Sequence, residues 1–88
     1  MNTENKLLKL LEENKEWPLR YMFKFVAPND DAIVAKIKEI LPKSEKTTAK
    51  LSKNGKYIAI TCIAFMTSAK QIVDITNEVN SIKGVMTL

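Results

Sequence analysis

The residues of this sequence with the most obvious chemistry are lysines. Lys43, Lys46, Lys50, Lys53 and Lys56 fall within fourteen residues and are opposed only by Glu45. Such a concentration of positive charge attracts an anion or an acidic protein surface. Its plainer reading is a solvated hairpin edge that lysines guard against aggregation. Asp30 and Asp31 are neighbours that could share a metal ion, but they follow a chain breaker and precede a helical pattern, where negative charge favours the opening of a helix. Ser68 has no base near it in sequence and fits the role of a helix cap. The chain has no histidine and one cysteine, Cys62. Serine-histidine-aspartate triads, the usual zinc-finger ligand sets and an intrachain disulfide are therefore out of reach. Cys62 reads as a buried strand residue, and no catalytic residue, metal site or cofactor is expected.

The elements that hold these residues follow from periodicity. Residues 4–15 carry Leu7, Leu8, Leu10 and Leu11 on one helical stripe, and Trp17-Pro18 ends it, because proline lacks a donor and pushes the preceding residue to an extended form. Trp17 is expected to fold back as an apolar cover. From Leu19 to Val26 the pattern alternates, with Leu19, Tyr21, Phe23 and Phe25 on one face and Arg20, Met22, Lys24 and Val26 on the other. After Ala27-Pro28-Asn29, the residues Ile33, Val34, Ile37, Ile40 and Leu41 recur at helical spacing until Pro42. Asn54-Gly55 predicts a two-residue hairpin turn in which Lys53 pairs with Lys56. That register puts Thr47, Ala49 and Leu51 with Ile58, Ile60 and Cys62 on the core face, and Lys46, Thr48, Lys50 and Ser52 with Tyr57, Ala59, Thr61 and Ile63 on the other. Ser68-Ala69-Lys70-Gln71 has the form of a capping box and opens a second helix. Ile72, Ile75, Val79 and Ile82 form its stripe, Gly84 suits a left-handed cap, and residues 85–88 supply a last strand.

The expected elements are strand 20–26, helix 30–41, strands 45–52 and 57–65, helix 68–82 and strand 85–88. This βαββαβ order predicts an α+β fold of the ferredoxin-like kind: an antiparallel four-stranded sheet with two helices on one face, plus an N-terminal helix. Residues 1–18 are read as that helix and a Trp-Pro linker, and residues 19–88 as the ferredoxin-like domain. The chain has 88 residues, of which 45% are apolar and 27% charged. That suits a single small core, which a partner chain would help to stabilise. Net charge is +4; residues 1–16 hold three lysines against four glutamates, so the rest carries a net charge of +5. No apolar run approaches the roughly 20 residues that span a bilayer, and charges interrupt the leucine-rich start, so the protein is read as cytoplasmic and away from membranes.

Taken together, the leucine-rich leader, Trp17-Pro18, the strand Tyr21-Met22-Phe23-Lys24-Phe25, the hairpin Ser52-Lys53-Asn54-Gly55-Lys56-Tyr57 and the terminal Val85-Met86-Thr87-Leu88 resemble the YbeD-like family of small bacterial proteins of uncharacterised function. The resemblance covers nearly all of residues 5–88. It implies a ferredoxin-like fold akin to the ACT regulatory domain, no enzymatic activity, and a regulatory role linked to lipoate metabolism. Trp17 stands where the family usually has phenylalanine and Thr87 where valine is common. The loop after the first strand lacks the glycine on which ligand-binding ACT domains often rely, which argues against metabolite binding in that manner.

The leading functional reading is a non-enzymatic regulatory or adaptor domain that binds a protein, including a second copy as a homodimer, through the sheet face away from the helices. Lys24, Lys46, Lys50, Tyr57, Ile63 and Phe65 are the candidate binding residues, an apolar centre with a basic rim. One alternative is RNA binding through the same face, since RNA-recognition domains share this element order. Against it, the first-strand aromatics point to the core and the third strand lacks the second aromatic of the usual motif. A further alternative is an ACT-like sensor of a small metabolite.

Overall fold

The computed structural model describes Lys9, Leu10 and residues 17–88. Lys9 and Leu10 apart, the expected leading helix lies outside the described residues. Among the described residues the elements run β1 (Leu19–Pro28), α1 (Asp31–Ile40), β2 (Lys46–Leu51), β3 (Tyr57–Met66), α2 (Ala69–Asn80) and β4 (Met86–Thr87). The strands form one antiparallel sheet in the order β2-β3-β1-β4. The fold is ferredoxin-like α+β.

Alternation in β1 and β3 sorts side chains by face, because successive residues of a strand point to opposite sides. Phe23, Phe25 and Ala27 from β1 and Ile60, Cys62, Ala64 and Met66 from β3 are buried. They meet Ile37 of α1, Ile72 and Val79 of α2, and Val85 in one core. Both helices therefore lie on the same side of the sheet. Tyr21, Phe23 and Phe25 form an aromatic column along this inner face, edge-on at 4.8 Å and then stacked at 6.2 Å. Trp17 packs half-buried against the same core, in keeping with the expected apolar cover. Cys62 is fully buried.

The helix starts are held as their sequences imply. Asp30 Oδ1 accepts from the amides of Ala32 and Ile33 at 2.9 and 3.2 Å, satisfying donors that the first turn of a helix leaves free. Ser68 Oγ accepts from Gln71 N at 3.2 Å. The reciprocal bond differs from a standard capping box: Gln71 Oε1 accepts from Thr67 N at 3.0 Å and from Thr67 Oγ1 at 2.9 Å, reaching one residue further back.

Three expectations are corrected. The hairpin closes on a four-residue loop, with Ser52 N donating to Tyr57 O at 2.9 Å and Gly55 N to Ser52 O at 3.0 Å, so Lys53 and Lys56 lie in the loop and do not pair. Gly55 has φ +73° while Asn54 stays at negative φ, as in a turn followed by one left-handed residue rather than a turn with two. Asn54 serves the loop through its side chain instead, its Oδ1 accepting from Ser52 Oγ at 3.0 Å and from Lys56 N at 3.1 Å. The register is the expected one all the same, Lys46 opposite Ile63 through Leu51 opposite Ile58, because a symmetric loop of two or of four residues gives the same partners.

The second correction concerns Thr47, Ala49 and Leu51, which the register places on the helix side but which are exposed, Leu51 to 54%. The cause is coverage: β2 is an edge strand bonded to β3, and the helices make their main sheet contacts with β1, β3 and β4. The third concerns Gly84. Helix α2 stops at Asn80 with Ser81 as a right-handed cap, and Gly84, at φ +88°, forms the following turn into β4. A Cβ on Gly84 would stand 2.9 Å from Pro28 Cγ, so this position needs both the left-handed conformation and the empty space.

Candidate sheet-face interface

The strand pairing turns the outer face of the sheet into a grid. Met22 of β1 lies opposite Ile63 of β3, which in turn lies opposite Lys46 of β2. The next row is Lys24, Thr61 and Thr48. After it come Met86 of β4, Val26, Ala59 and Lys50 in a single line across four strands. Arg20 opposite Phe65 closes one end of the grid, and Pro28 opposite Tyr57 the other. Rows lie about 7 Å apart and strands about 5 Å apart, so neighbouring side chains touch or nearly touch.

All six candidate residues stand on this face, but not as one cluster. Lys46 and Ile63 are direct partners and Phe65 is the next outward residue along β3; Lys24 and Lys50 sit one and two rows on. Tyr57 and Phe65 are eight residues apart on one strand, about 26 Å, and cannot form a common stacking platform. Besides Val26, three well-exposed apolar side chains complete the surface beyond those six: Met22, Met86 and Leu88 are 57%, 59% and 68% exposed. Phe65 is 58% exposed, while Val26 and Ile63 are half-buried. Met22 was already on this face by alternation. Met86 gave no such signal, because a two-residue strand shows no periodicity and only its pairing with Val26 places it. Leu88 extends the same strand by donating its amide to Lys24 O at 2.9 Å, and Thr87 Oγ1 ties it to Asn80 Oδ1 at 2.6 Å.

The charge on this face is positive and largely unopposed. Arg20 is paired, its Nε 2.7 Å from Glu45 Oε2, with both side chains solvent-exposed, an arrangement that contributes little to stability. Among the described residues the other ion pair is Lys70 with Asp74 within α2. Lys46 and Lys50 thus border the apolar residues on edge strand β2, whereas Lys24, expected at the rim, stands among them on the inner strand β1. None of the three has a carboxylate partner among the described residues. Asp30 and Asp31 are occupied in opening α1, and no cluster of three or more potential metal-ligating side chains occurs among the described residues.

Three depressions formed by the described residues bear on this surface. One of about 550 Å³ lies on the outer face over Val26 and Ala59, beside Lys50, Lys53 and Tyr57. A second, about 400 Å³, runs from Lys38, Leu41 and Pro42 to Thr47. A third, about 360 Å³, lies between the start of α1 and the end of α2 near Ile33, Lys36 and Ile82.

Residues 12–88, which include every strand and helix described above, match the family model described as a protein of unknown function, DUF493. The chain belongs to the DUF493 family. This is the family of the YbeD-like proteins, in agreement with the resemblance seen in the sequence. Neither the curated proteins nor the solved structures gave a match. The DUF493 match extends over the whole outer face, Arg20 to Leu88.

Proposed function

We propose that this DUF493 protein is a non-enzymatic adaptor or regulatory domain that binds a protein partner through the outer face of its sheet. The observation that supports this most is the run of exposed apolar side chains Met22, Phe65, Met86 and Leu88 on the face opposite α1 and α2. Contiguous apolar surface beside unpaired charge is the composition of a binding patch rather than of a freely solvated sheet. The partner is a different protein with acidic residues at its contact. Lys24, Lys46 and Lys50 give the face a positive charge that an acidic partner complements, whereas two copies of it start from like-charged surfaces. The YbeD-like relationship supports a metabolic setting, linked to lipoate, for the regulation.

The same lysines support a second reading, binding of RNA. Tyr57 and Phe65 stand at opposite ends of β3 and the aromatics of β1 face the core, so the stacking platform on which single-stranded RNA depends is missing from the centre of the face.

The test is capture from cell extract by the parent protein, Ile63→Lys and Phe65→Glu, with sedimentation of each. Both variants are expected to keep the parent's unfolding midpoint and to lose the captured protein, because a new charge enters a surface that binding would desolvate. Undiminished capture by both folded variants rules the reading out, and loss of bound oligonucleotide in place of protein favours RNA.

A further inference from the structure

Ala59 is the smallest side chain in its row, set between Val26 on one side and Lys50 on the other, with Tyr57 two residues back along the same strand. The missing bulk contributes to the open depression of about 550 Å³ described above, room enough for one side chain. Its floor is aliphatic. Its rim is cationic, since Lys50 and Lys53 both line it and neither has an ion-pair partner among the described residues. The loop that carries Lys53 is held in place: Asn29 donates through Nδ2 to Gly55 O and through its backbone amide to Lys56 O, both at 2.9 Å. A hydrophobic hollow bordered by two lysines calls for an apolar body next to an anionic group.

We infer that this hollow is an anchor site for an acidic polypeptide segment, taking one aliphatic or aromatic side chain over Ala59 while flanking carboxylates meet Lys50 and Lys53. The assignment rests on the adaptor reading and makes it specific: it names the part of the face that selects the partner and the chemistry selected. Polypeptide is favoured over nucleic acid because the floor is formed by Val26 and Ala59, which offer an aliphatic side chain a fit but a base no planar platform. A second copy of the same face offers no cluster of carboxylates to meet Lys50 and Lys53, Glu45 being paired with Arg20.

The test is titration of isotope-labelled full-length protein, followed by NMR, with a synthetic peptide carrying one phenylalanine between runs of glutamate. The controls are the same peptide with serine for phenylalanine, its lysine counterpart and oligouridine. Amide shifts centred on Val26, Lys50 and Ala59 are expected with the acidic phenylalanine peptide, weakening as salt rises. Ala59→Phe fills the hollow, and the double exchange Lys50→Glu with Lys53→Glu reverses its rim on exposed positions that leave the fold intact. Each is expected to weaken binding about tenfold or more. Equal binding by the serine peptide, the lysine peptide or oligouridine overturns the inference, as does unchanged affinity in either variant. The two proposals fail separately. If Ile63→Lys abolishes partner capture while Ala59→Phe and the charge reversal leave capture and peptide affinity unaltered, the adaptor reading stands and the anchor site is wrong.

Discussion

At the scale of single residues, the two glycines answer to different constraints. Gly55 is at φ +73° with open space where a Cβ would go, so Gly55→Ala costs only the left-handed conformation, about 1 kcal/mol. Gly84 adds a clash with Pro28, so Gly84→Ala should cost more, on the order of 2 kcal/mol or above. Urea midpoints of the two variants check the ranking, and equal losses would contradict it. Gly55 was legible from the Asn-Gly pair, whereas the close approach at Gly84 was not, since Pro28 is distant in sequence. Tyr21 provides a pH test. Burial against Phe23 raises its phenol above the ordinary 10.0. A group whose folded value exceeds its unfolded one contributes stability that is complete below the unfolded value and is lost as pH rises through the folded one. The fold should therefore weaken above about pH 10, and Tyr21→Phe should show a smaller loss over that interval than the parent, as thermal unfolding across that range would reveal.

At the scale of elements, alternation and helical spacing made six elements and their order readable, and the hairpin register followed from a symmetric turn. Coverage was not readable. Thr47, Ala49 and Leu51 have the correct parity for a core, but parity assigns a face, while burial depends on whether a helix lies above it. Here the helix layer stops short of β2. Leu51→Lys should therefore change stability by no more than about 0.5 kcal/mol. Ile60→Ala, two residue pairs along on the covered strand and fully buried, should cost about 2 to 4 kcal/mol. A large loss for Leu51→Lys in chemical denaturation would mean that something covers β2 in solution.

At the scale of the whole molecule, α1 and α2 protect one side of the sheet, and the other side is an apolar surface with Lys46 and Lys50 along its β2 edge and Lys24 within it. Lys24, Lys46, Lys50, Tyr57, Ile63 and Phe65 could all be assigned to it from sequence because they lie on strands long enough to show alternation. Met86 and Leu88 could not, because their position depends on β4 joining β1 at the far edge. The methionines offer a direct measurement of whether this surface is the binding face. Met22 and Met86 are exposed on it, while Met66 is fully buried on the opposite side and serves as an internal reference. Hydroxyl-radical footprinting of the free protein and of its complex with a captured partner should show Met22, Phe65 and Met86 protected on binding, with Met66 equally unreactive in both states. Unchanged labelling of Met22 and Met86 in the complex, with protection moved to exposed residues of α1 and α2, would contradict the assignment of the sheet face as the interface.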